Sequence, residues 1–92
     1  LSKLEKNSAQ ALSQALESAQ ALVTQGERSA ENIRTEIRKT IEQKQGTKID
    51  YISVCDPESF TEQTEINSKV LVALAVRVGS TRLIDNRIIG KI

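Results

Sequence analysis

The sequence predicts an α+β domain, a helical hairpin packed on a three-stranded antiparallel sheet. Three observations carry that prediction. Two stretches place apolar residues at steps of three and four, the mark of a helix with one apolar stripe. Between Val70 and Ile89 two β-prone runs flank Gly79-Ser80, which reads as a hairpin closed by a two-residue turn. A third run, K-I-D-Y-I-S-V-C at 48–55, has the β-branched and aromatic content of a strand.

Residues 1–26 form the first expected helix. Ser2 and Glu5 stand three apart as a capping box, and Leu12, Leu16, Ala19 and Val23, flanked by Ala15 and Leu22, make its stripe. Gly26 closes it as a left-handed cap. The second helix follows with almost no linker, so the pair is an antiparallel hairpin. Ser29 is its N-cap, Glu31 suits the positive end of the helix dipole, and Ala30, Ile33, Ile37 and Ile41 form its stripe. Its charged pairs, Glu31 with Arg34 and Glu36 with Lys39, read as solvated surface. Gly46 ends it.

In the strand at 48–55, strict alternation puts Ile49, Tyr51 and Cys55 on one face and Ile52 and Val54 on the other. This fits partial cover on both sides. Asp56-Pro57-Glu58-Ser59 predicts one short helical turn, with Phe60 tucked back onto the core. Residues 61–69 are polar and without period, a surface connection. The run at 70–78 is the most apolar and belongs in the middle of the sheet.

The two-residue turn fixes the register of the hairpin. Val78 faces Thr81, Arg77 faces Arg82, Val76 faces Leu83, Ala75 faces Ile84, Leu74 faces Asp85 and Ala73 faces Asn86. Val70, Val72, Leu74, Val76 and Val78 then make a bulky wall, and Leu71, Ala73 and Ala75 a thinner one, on which the helices are expected to lie. Arg77 opposite Arg82 is a repulsive pair, costing up to about 1 kcal/mol. An acidic side chain from the helices, or a solvent ion, should therefore sit beside it; a second reading turns the pair toward an anionic ligand or another domain.

Ninety-two residues make one domain with one core. One Phe, one Tyr and no Trp leave the packing to aliphatic side chains, and a net charge of +1 gives no general attraction to nucleic acid or an anionic membrane. No apolar run approaches the roughly 20 residues that span a bilayer. A lone cysteine, Cys55, excludes an internal disulfide, fits a reducing compartment, and reads as a small buried hydrophobe. With no histidine, neither a zinc site nor a histidine-activated nucleophile can be built from this sequence. Asp85 and Asn86 interrupt an apolar strand and read as a bulge or a strand-end hydrogen-bonding site ahead of a ligand contact. The four glycines form no phosphate-cradling motif. With no methionine, the chain reads as a piece of a larger protein.

A-V-R-V-G-S-T-R-L-I-D-N at 75–86, with A-L-S-Q-A-L at 11–16, I-D-Y at 49–51 and D-P-E at 56–58 in order, resembles the closing segment of the pantothenate synthetase (pantoate-beta-alanine ligase) family. The resemblance implies a cytoplasmic ATP-dependent ligase that joins pantoate to beta-alanine through pantoyl adenylate, with magnesium. It also implies that residues 1–92 are the C-terminal lid domain. The family's H-x-G-H and S-S-R-N motifs belong to an N-terminal nucleotide-binding domain that this sequence lacks. No catalytic, cofactor-binding or metal residue carries over, and the fragment is expected to be inactive alone. Arg77 and Arg82 are the candidates for facing the cleft or the partner domain. A stand-alone interaction module using the helix pair or a strand edge is the alternative.

Overall fold

A computed structural model describes residues 3–44 and 46–90, the side chains of Leu4 and Glu5 excepted. The expected Ser2–Glu5 capping box lies outside the described residues. The elements run α1 (Lys3–Thr24), α2 (Ala30–Glu42), β1 (Thr47–Cys55), β2 (Val70–Val78) and β3 (Thr81–Ile89). The strands form one antiparallel sheet in the order β1-β2-β3, with the most apolar strand central as expected.

Local chemistry sets the helix ends. The N–H of Glu27 reaches the carbonyl of Leu22 at 2.9 Å and that of Gly26 reaches Val23 at 3.1 Å, with Gly26 at φ 110°. This is a Schellman closure, which uses the carbonyls that the helix leaves free. Ser29 caps α2, its hydroxyl accepting the Asn32 N–H at 3.2 Å.

Both predicted stripes are buried. Leu12, Leu16, Ala19 and Val23 from α1 meet Ala30, Ile33, Ile37 and Ile41 from α2 in a single cluster with Val54, Val70, Val72, Leu74 and Val76 of the sheet. The helices therefore lie on the bulky wall, and the expectation that they would cover the thinner face is overturned. The reason lies in α1. Ala11, Ala15 and Ala19 are fully buried, so the helix supplies the small residues that permit close approach, and the sheet can fill the gap with Val and Leu. Each such Val or Leu side chain contributes about 1.5–3 kcal/mol on burial.

The register of β2 with β3 is as the turn dictates, from Val78↔Thr81 and Arg77↔Arg82 to Ala73↔Asn86. No bulge marks Asp85 and Asn86; Asp85 Oδ1 accepts the Asn86 N–H at 2.8 Å, and the two side chains take opposite faces. The irregularity falls instead in β1. Ile49 pairs with Val76 and Tyr51 with Ala75, leaving Asp50 as an extra residue. Such a bulge resets the alternation. Ile49 joins Ile52 and Val54 on the helix side, while Tyr51, Ser53 and Cys55 take the open side.

The single helical turn expected after β1 is present: Asp56 caps it, its Oδ1 accepting the N–H groups of Glu58 and Ser59 at 2.8 and 2.9 Å, and Phe60 N–H closes it on the Asp56 carbonyl at 2.9 Å, four residues back. Phe60 does not tuck in: it sits at φ 60° with 67% of its surface exposed. The connection beyond it is fastened. Gln63 N–H bonds the Val54 carbonyl at 2.8 Å, Ala30 N–H the Thr64 carbonyl at 3.0 Å and Ile66 N–H the Arg28 carbonyl at 2.8 Å, while Ile66 is buried.

Candidate functional site

The helices cover one side of the sheet, and the other is built in rows across three strands. Lys48, Arg77 and Arg82 form the row nearest the hairpin turn; Tyr51, Ala75 and Ile84 follow, then Ser53, Ala73 and Asn86, then Cys55, Leu71 and Ile88. Tyr51, Ile84 and Ile88 keep 40%, 56% and 57% of their surface exposed.

The basic row is where charge concentrates. The structure brings Arg77 and Arg82 together and supplies the acid that the repulsion required, although from an unexpected place. Asp50, the bulged residue of β1, takes Arg77 Nε at 3.2 Å and Arg82 Nε at 3.0 Å on the same oxygen. The expectation of an acid from the helices, or of an ion, is thus corrected. Asp50 lies on the face of Lys48, two residues before it, and the bulge leaves it without a pairing residue of its own on β2. Arg82 also lies over Tyr51, 5.8 Å from the ring centre, a contact worth about 0.5–1 kcal/mol at an exposed site. Two of the three cations in this row share one carboxylate, so a positive excess remains. Each ion pair is half-exposed and contributes roughly 0–1 kcal/mol.

A second polar cluster joins α2 to the sheet edge. Glu62 accepts Arg34 Nη2 at 2.7 Å, the Ser53 hydroxyl, and the Val54 N–H at 3.3 Å. Partial burial works against the charged form, yet these hydrogen bonds and the Arg34 charge together hold the Glu62 carboxyl below the usual range. This cluster is a structural tie.

Neither cluster assembles a nucleophile with a base. Cys55 is buried, its Sγ 3.7 Å from the Leu71 carbonyl oxygen, as a packed small side chain. Among the described residues no three His, Cys, Asp or Glu side chains converge on a metal position, and no helix is long and apolar enough to cross a membrane. A groove of about 490 Å³ between Arg28, Ser29, Thr64, Glu65 and Asn67 is open and polar, with one cation and one carboxylate.

The family model described as "Pantoate-beta-alanine ligase" matches residues 1–88. The chain belongs to the pantoate-beta-alanine ligase family. Pantothenate synthetase of Desulforapulum autotrophicum is 46% identical over 89 residues, covering 97% of this chain and 31% of that protein. The bifunctional pantoate ligase/cytidylate kinase of Gloeobacter violaceus is 41% identical over 91 residues, 99% of this chain and 18% of that protein. Among solved structures, pantothenate synthetase from Thermus thermophilus superposes with a TM-score of 0.84 at 24% identity, over 95% of this chain and 31% of that one, which is a likeness of fold. The chain thus spans about a third of the length of the pantothenate synthetases it matches. Within the ligase family, the two-helix, three-stranded architecture is this stretch's fold.

Proposed function

We propose that this chain is the covering domain of an ATP-dependent pantoate-beta-alanine ligase, working against a nucleotide-binding domain carried on polypeptide outside these 92 residues. The observation that carries the reading is the family match across residues 1–88, against pantothenate synthetases of which this chain covers about a third. In the reaction, the pantoate carboxylate attacks the α-phosphorus of ATP, giving pantoyl adenylate and pyrophosphate. The amine of beta-alanine then attacks the acyl carbon, loses a proton, and releases AMP as the amide forms. Water competes with that amine, so a cover that excludes it protects the intermediate. On this reading ATP and magnesium are bound by the nucleotide-binding domain.

In this reading Arg77 and Arg82 face the cleft or the nucleotide-binding domain, where the excess positive charge of their row meets negative charge. A ligase comprising both domains is expected to form pantothenate and AMP from ATP, pantoate and beta-alanine, and these 92 residues alone to form neither. In that ligase, Arg77→Ala and Arg82→Ala are each expected to lower turnover or nucleotide affinity by about tenfold, roughly 1.4 kcal/mol. Wild-type values in both variants would remove the arginines from this role.

A further inference from the structure

Resting, for the reaction concerned, on the reading of Arg77 and Arg82 as groups of the ligase, we propose that Asp50 makes the two arginines into a binding site for a diphosphate group. What decides it is which nitrogen each arginine uses. Arg77 and Arg82 both meet the same oxygen of Asp50 through Nε, at 3.2 and 3.0 Å. The arginines tied down elsewhere use their terminal nitrogens: Arg28 Nη1 on the Val23 and Glu27 carbonyls, Arg34 Nη2 on Glu62 and the Gln63 carbonyl, Arg87 Nη1 on Glu17 and Gln20. Among the described residues, the terminal nitrogens of Arg77 and Arg82 donate to no acceptor. A guanidinium held by Nε keeps its outer edge, Nη1 with Nη2, for a second partner. Asp50 therefore keeps two like charges side by side with both outer edges open, and their side chains stay 53% and 45% exposed.

Charge and shape choose the ligand. Lys48, Arg77 and Arg82 less the one carboxylate of Asp50 leave two positive charges in excess in this row. A single carboxylate would answer one arginine and leave the other without a partner. A diphosphate carries oxygens on two phosphorus atoms, one group for each arginine, and charge enough to neutralise the row. Tyr51, the ring beside the row, already carries Arg82 on its face, so the site reads phosphate and no base. In the ligase reaction the bond from the α-phosphorus to its bridging oxygen breaks as the pantoate carboxylate attacks, and the electron pair leaves with pyrophosphate. Cations fixed beside that group act more strongly as its charge grows. Asp50 is then a positioning residue, touching no phosphate and orienting the two side chains that do.

The test titrates this 92-residue chain with sodium pyrophosphate, without divalent cations, at an ionic strength where the screening length is about 8 Å. Saturable binding is expected, with a change in the fluorescence of Tyr51, the only tyrosine in a chain without tryptophan. The Nε–H resonances of Arg77 and Arg82 are expected to shift, and that of Arg38, exposed on α2, to stay. These readings need no variant to fold. Arg77→Gln and Arg82→Gln are each expected to weaken binding about tenfold. Asp50→Ala separates a built site from loose charge: it raises the net positive charge, so a mere basic patch would bind tighter, whereas losing the clamp is expected to weaken binding about threefold. AMP and pantoate are expected to bind about tenfold more weakly than pyrophosphate, or less. Binding that does not saturate, unmoved arginine resonances, tighter binding by Asp50→Ala, or equal affinity for AMP or pantoate would overturn the proposal. In a ligase comprising both domains, Arg82→Gln is expected to slow exchange of pyrophosphate into ATP about tenfold and to leave the reaction of supplied adenylate with beta-alanine within about twofold. Unchanged exchange, beside intact binding of pyrophosphate to this chain, would instead bring down the reading of the arginines as groups of the ligase.

Discussion

Ser8 is buried in α1 with a hydroxyl that finds no hydrogen-bond partner among the described residues. Leaving such a group dry costs about 1–3 kcal/mol, and Ala is the better helix former. Ser8→Ala is expected to stabilise the chain by about 1 kcal/mol, read as a rise in melting temperature of about 4–8 °C. Acid should act on three carboxylates. The Ser29 N–H and the Asn32 amide hold Glu27 low, and the N–H groups of Ser59 and Glu58 hold Asp56 low. Glu62 is held low, against the opposing effect of burial, by Ser53, Arg34 and Val54. A depressed folded value means that the stabilisation is present above the ordinary values of 4.5 for Glu and 3.8 for Asp, and is lost as pH falls through the folded ones. Urea midpoints are therefore expected to fall between neutral pH and about pH 3, and less steeply in Glu62→Gln. Arg77 opposite Arg82 was legible from the turn alone. Asp50 was not, because fourteen residues separate β1 from β2 and no tight turn fixes their register.

Helix α2 fastens the fold: Ile33, Ile37 and Ile41 are fully buried between α1 and the sheet. Ile37→Ala is expected to cost about 2–5 kcal/mol, much of the stability of a domain this small, and to lower the urea midpoint sharply. Both helices could be read from their stripes, since a period of three and four has one physical interpretation, and their facing ends from Gly26 and Ser29; the far end of α2 could not, because the helix stops at Glu42 with Gln43 as its cap, short of the expected Gly46. β1 could not be read as well, because one extra residue reverses parity and makes a one-sided strand look two-sided. The side of the sheet that the helices take was also hidden. Close approach can be supplied from either partner, and here the alanines of α1 supply it, leaving Ala73 and Ala75 on the open side. The connection after β1 looked like a free surface loop for want of period, yet backbone bonds fasten it to β1 and to the corner between the helices. Such bonds leave no mark on side-chain pattern.

For the molecule as a whole, strand order follows chain order: a two-residue turn joins β2 to β3, and residues 56–69, fastened to β1 and to the corner between the helices, join β1 to β2. The bridge between Cys55 and Glu62 covers part of the β1 edge, and β3 carries Arg82, Asp85 and Arg87, charges that discourage pairing with a stray strand. The candidate site was legible as a charge conflict and its resolution was not, since the partner acid comes from a strand distant in sequence. The single extra residue of β1 has one more consequence. Losing a residue from a strand ordinarily turns everything beyond it inside out. Excision of Asp50 would do the opposite, leaving a ladder of unbroken parity in which Ile49, Ile52 and Val54 still point at the helices. The chain could shorten by one there and keep its interior, forfeiting only the carboxylate that reconciles two arginines.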